Sequence, residues 1–224
     1  MGFGDPPPAV AAFVRLKVND TRISIFPLPG AVLYPGLQLP LHIFEPRYSA
    51  MVSDALARDR RIGIVQPKGQ HANAPLFDVG CLGRIGEVEA LDDGLYNIIL
   101  EGEARFRITR ELSVTTPFRQ VEAELIEEPT EQQLAAVERA GFEREAQHFA
   151  ELQGYTVDWE SVTRLDDVSL INGVSQIVPF DPASKQALLE CDDLSDRCEL
   201  LIQLFQFFGH QPDIDDSESG GTMQ

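Results

Sequence analysis

Ser184 and Lys185 are the residues in this 224-residue chain that come nearest to a nucleophile beside its base. Their adjacency argues against that chemistry, because consecutive side chains on a helix point about 100° apart and cannot share the short hydrogen bond a Ser-Lys dyad needs. Helix surface is the expected place for both. Gly173-Val174-Ser175-Gln176-Ile177 starts like a nucleophile elbow but lacks the closing glycine and lies inside a helical pattern, where its serine would not project. A phosphate-cradling loop of the form GxxxxGK[ST] is also missing, since none of Lys17, Lys68 and Lys185 follows that glycine spacing. ATP hydrolysis is therefore excluded, and no catalytic residue is assigned.

Metal chemistry finds no better support. His42 lies in a strand pattern, His71 in a polar loop, His148 on a helix and His210 near the end, with neither HxxxH nor HExxH spacing. Cys81, Cys191 and Cys198 are odd in number and form no CxxC, so they read as small buried apolar residues in a reducing compartment. The pairs Asp92-Asp93, Asp166-Asp167 and Asp192-Asp193 fall at turns or helix starts, where aspartate caps backbone amides. No metal and no cofactor is expected.

Binding residues are easier to find. The segment FPLPGAVLYPG is punctuated by Pro27, Pro29, Gly30, Pro35 and Gly36, which forbid a helix and impose a rigid crossing over a sheet. It carries Leu28, Val32, Leu33 and Tyr34, with Leu37 just beyond. These five either fill the domain's own core or form a shallow patch for unfolded chain. Glu45, Arg47 and Tyr48 are explained by an ion pair or hydrogen bond that fixes a helix to the sheet; the sharper alternative makes Arg47 a contact for client carboxylates.

The elements that must position these residues fall into two parts of different charge. Residues 1–125 carry 13 basic and 15 acidic side chains, whereas 126–224 carry 5 and 21. With three lysines and no basic run, phosphate backbones would be repelled, so nucleic acid is not a partner. No apolar run approaches the roughly 20 residues that span a bilayer, and the start lacks a basic, apolar leader, so a cytoplasmic protein without membrane contact is expected.

Alternation marks strands at 22–26, 37–44, 61–67, 80–91, 95–108 and 118–128, with Asp93-Gly94 as a hairpin turn. Pro46 opens a helix whose Tyr48, Met51, Val52, Ala55 and Leu56 share a face. Six strands and one helix make a small, mostly antiparallel barrel or sandwich. After Pro129 the period becomes helical: Leu134, Val137, Gly141, Phe142, Ala146 and Phe149 are so spaced, with Thr130 as a cap. Further helices are expected over about 166–178, from Asp181-Pro182, and from Asp193, the last holding Leu194, Cys198, Leu201, Phe205 and Phe208 on one face. The fold class is α+β with segregated layers: an arm over 1–20, a β-rich domain over 21–128, a helical bundle over 129–210 and an acidic tail over 211–224.

The run IFPLPGAVLYPGLQLPLHIFEPRYSAMVSDALARDRRIGIVQPKG, residues 25–69, resembles the opening of the Lon N-terminal domain, the substrate-recognition portion of the ATP-dependent Lon proteases. Its FPL and PG pair, LPLHIFEPRY, and the helix leading into RIGIVQP follow the family's order. VGCLGRIGEVEALDDGLYNIILEGEARFRI, residues 79–108, is similar to the next strands, and QALLECDDLSDRCELLIQLF, residues 186–205, resembles the closing helices. The resemblance implies a PUA-like pseudo-barrel followed by a helical bundle, and a non-catalytic domain that recognises unfolded or degradation-tagged polypeptides, acting as an adaptor or holdase alongside a protease or chaperone. A full Lon protease adds ATPase and peptidase modules, before which this chain stops. A small molecule in the cleft between barrel and bundle, and a peptidase with an unfamiliar site, remain the alternatives.

Overall fold

The computed structural model describes residues 21–71, 73–91, 94–129 and 132–209. The expected arm, tail, Thr130 cap, His210 and Asp92-Asp93 pair lie outside them.

Among the described residues six strands form one sheet: β1 (Thr21–Pro27), β2 (Gln38–Ile43), β3 (Arg61–Val65), β4 (Val79–Ala90), β5 (Tyr96–Glu111) and β6 (Gln120–Leu125). Their order is β2-β5-β4-β3-β1-β6, and a further pairing of β5 with β6 closes the last five into a barrel, with β2 paired along the first part of β5. Only β1 and β3 run parallel. At 16 residues, β5 is long enough to pair with three neighbours, and the register shift between Ile108 and Arg110 bends it toward β6. Helix α1 (Pro46–Leu56) starts on proline, as its fixed φ favours, and buries Tyr48, Met51, Val52 and Ala55 against the barrel.

The helical half comprises α2 (Ala136–Leu152), the short α3 (Trp159–Val162), α4 (Asp167–Ile177), α5 (Pro182–Glu190) and α6 (Leu194–Gly209). Three of the expected aspartates open helices. Asp166 accepts from Ser169 N at 2.9 Å, Asp181 from Ala183 N at 2.9 Å, and Asp193 from Asp196 N at 2.8 Å. Phe142, Ile171, Leu188, Leu201 and Phe205 form this half's core. Val137 departs from expectation: at 78% exposed it faces solvent, because α2 begins only at Ala136 and its inward face is set by Phe142, Ala146 and Phe149. Helix α3 has no counterpart among the expected elements, being too short to show a period.

Candidate binding site

The proline-rich loop crosses the barrel as its punctuation requires, but it is covered. Leu33 enters the barrel core, while Val32 and Tyr34 pack with Val79 and Leu189 of α5. All three are at most 2% exposed, so they offer no surface to a partner, which corrects that part of the expected patch. Two contacts from outside the loop's own sequence are responsible. Gly102 lets the loop backbone lie flat on β5, since a Cβ there would sit 2.0 Å from Tyr34 O, and α5 closes over the top. Leu28 and Leu37 are half-buried against those same clusters. Arg47 is partly exposed, paired with Glu45 at 2.7 Å and seated 4.6 Å from the centre of the Tyr48 ring. Its charge is thus matched within its own turn.

Between the halves lies a polar seam that local sequence does not reveal. Arg105 of β5, 1% exposed, pairs with Glu128 at 2.6 Å and donates to Leu189 O at 2.8 Å and Cys191 O at 2.6 Å. Arg197 of α6, also buried, donates to Leu188 O, to Cys191 O and to Asn172 Oδ1, and its guanidinium lies 5.1 Å from the Tyr34 ring centre. The carbonyls at the end of α5 have no partners within their helix, and they carry the negative end of its dipole. Two guanidiniums therefore satisfy one helix terminus. Glutamines complete the joint: Gln66 accepts from Gly30 N and donates to Pro182 O, Gln186 donates to Val79 O, and Gln176 bridges Tyr34 N and Gln38 O. The Tyr34 hydroxyl is buried beside Ser175, whose own hydroxyl donates to Ile171 O at 2.7 Å, and burial pushes the Tyr34 pKa up.

None of the nucleophile candidates is placed to react. Ser175 is buried and bonded into α4. Ser184 donates to the Asp181 cap. Lys185 is not on the helix surface, as its neighbour's position suggests, but buried, donating to Gln176 O at 2.9 Å, and desolvation lowers its pKa. Burial raises the pKa of all three thiols, that of Cys198 to about 11, which opposes thiolate formation. Cys191 is only half-buried, unlike the other two. Asp167 accepts from Leu134 N and pairs with Arg139, and His42 bonds Asn97. Among the described residues no three His, Cys, Asp or Glu side chains gather as metal ligands do.

An apolar groove of about 550 Å³ opens on the helical half. Its floor is the Phe149–Phe205 pair, with ring centres 4.8 Å apart. Val174 and Ile177 of α4 form one wall and Trp159 of α3 the other. Gly154, at φ +68°, ends α2 with the Tyr155 amide bonded back to Ala150 O at 2.8 Å, the paired-bond helix ending that glycine permits. That turn carries Tyr155 to the lip of the groove. Ile177 is 74% exposed and Tyr155 46%, so the apolar lining continues to solvent. The sequence offers one signal for it, the chain's single tryptophan standing in a short aperiodic segment between helices.

A closed barrel joined through a bonded seam to a bundle with an open apolar groove defines a binding domain of the α+β class. Residues 22–206 match the family model of the ATP-dependent protease La (LON) substrate-binding domain, and the chain belongs to that family. It is 28% identical over 193 residues to Lon protease 2 of Myxococcus xanthus, a match covering 81% of this chain and 23% of that protein. With Lon protease of Escherichia coli K12 it shares 26% over 200 residues, covering 83% and 24% respectively. The chain thus spans about a quarter of the length of these relatives. The fold is similar to that of the Lon N-terminal domain protein from Xanthomonas campestris, with a TM-score of 0.60 and 21% identity over 86% of this chain and 99% of that one. It also matches the N-terminal domain of the Mycobacterium avium complex Lon protease, with a TM-score of 0.61 and 20% identity over 83% and 98%.

Proposed function

We propose that this domain recognises polypeptide without chemistry of its own, holding unfolded or degradation-tagged segments in the groove of its helical half. In this role it serves as an adaptor or holdase for a protease or chaperone of the cytoplasm. The observation that carries the proposal is the continuity of the groove's apolar lining from the buried Phe149–Phe205 floor to the exposed Ile177 and Tyr155. Grooves of this kind take side chains of a bound segment as anchors. On the barrel, Leu28, Leu37 and Arg47 offer a weaker surface, half-buried or already ion-paired.

A permanently unfolded model protein and a metabolite panel, compared by fluorescence anisotropy and thermal shift, test this. The unfolded protein is expected to bind with a Kd of tens of micromolar or tighter, on the order of 6 to 8 kcal/mol. Ile177→Asp should abolish that binding and leave the melting temperature unchanged, while Arg47→Ala should leave binding intact. If no unfolded polypeptide binds in that range, the proposal fails.

A further inference from the structure

The groove's surroundings constrain what it takes. Three of the four helices that bound it, α2 to α4 with their connections (136–177), carry eight carboxylates and three arginines. Each arginine is matched locally: Arg139 with Glu143 and Asp167, Arg144 with Glu145, and Arg164 with Glu160. An excess of five negative charges therefore surrounds the groove. Glu143 itself lies in the wall, and the exposed Glu151, Asp158 and Glu160 bracket the segment that carries Tyr155 and Trp159 to the lip. Carboxylates next to a low-dielectric apolar surface project a stronger potential than the same charges in bulk water, because the wall excludes screening solvent and ions.

Resting on the polypeptide reading above, we infer that the groove selects segments in which aromatic or aliphatic residues are flanked by lysine or arginine, and rejects those flanked by carboxylates. The apolar floor supplies attraction to either kind; the acidic surround decides between them. Rejection by like charge is as much a part of this selectivity as attraction.

Three fluorescein-labelled peptides with one apolar centre and lysine, serine or glutamate flanks provide the test, titrated with the full chain by anisotropy. At about 0.05 M salt the lysine-flanked peptide is expected to bind about tenfold tighter than the glutamate-flanked one, the sum of several exposed charge contacts. At about 1 M salt, where the screening length is about 3 Å, the three affinities should converge. The double reversal Glu151→Lys with Glu160→Lys, at exposed positions, should erase or invert the order at low salt, and Ile177→Asp should weaken all three peptides. Equal affinities at low salt would overturn the charge selectivity while leaving polypeptide recognition standing, whereas failure of all three to bind would remove both. An order unchanged by the double reversal would place the selectivity elsewhere on the chain and overturn the assignment. Self-association on sedimentation that Ile177→Asp abolishes would make a second copy of the chain the occupant, with the same consequence.

Discussion

The seam and the groove share helix α4, and they are built from opposite materials. In the seam, Arg105, Arg197, Gln66 and Gln186 are all buried and all bonded to named acceptors. In the groove, aromatic and aliphatic side chains meet without directional bonds and run out to solvent. Hydrogen bonds fix one geometry because each donor must find its acceptor, and a buried group left without one is costly. Apolar contacts tolerate sliding and exchange of partners. The molecule is specified where its halves join and permissive where its apolar lining meets solvent.

That contrast can be broken most severely at Arg105. Arg105→Ala strips Leu189 O of its donor, leaves Cys191 O with Arg197 alone and leaves Glu128 unpaired, and a loss of about 3 kcal/mol or more is expected in urea unfolding. Peptide affinity measured on the remaining folded protein should not change. Arg105→Lys should recover only part of the stability, because an ammonium cannot span the carboxylate and two carbonyls at once.

A milder cut falls on the glutamines. Gln186→Ala removes the bonds to Val79 O and Glu190 and one partner of Gln66, and is expected to cost about 1 to 2 kcal/mol by the same measurement. A cost as large as that of Arg105→Ala would mean that the seam's strength lies in the glutamines rather than in the guanidiniums.

The smallest effect is expected at the helix starts, which belong to neither region. Hydrogen bonds from Ser169 and Ser184 hold the Asp166 and Asp181 carboxyls below their usual pKa. Their stabilisation is therefore complete above about pH 4, the ordinary aspartate value, and is lost as the pH falls through the lower folded-state values. Asp181→Ala should cost about 1 kcal/mol at neutral pH, and the double variant Asp166→Asn with Asp181→Asn should flatten the acid limb of a melting-temperature profile.

Much of this architecture was legible in the residues. Alternation located six strands, and Asp166, Asp181 and Asp193 marked helix starts because capping is a local interaction that local sequence encodes. The loop from Pro27 to Gly36 was legible as a crossing but not as a buried one. Whether Val32 and Tyr34 face solvent depends on α5, which lies more than 140 residues further along the chain. Lys185 and Arg105 were illegible for the same reason: an isolated charge looks like surface until the carbonyl that accepts from it is known. The groove escaped because it is assembled from four helices, no one of which is unusual in itself.

The bridge made by Gln176 has a spectroscopic consequence. Tyr34 is a barrel residue, yet its amide proton is held by Gln176 Oε1 of α4, one position from the Ile177 groove wall. Its rate of exchange with solvent deuterium is therefore governed by how often that helix parts from the barrel. One backbone resonance outside the groove lining reports whether filling the groove tightens or loosens the union of the two halves.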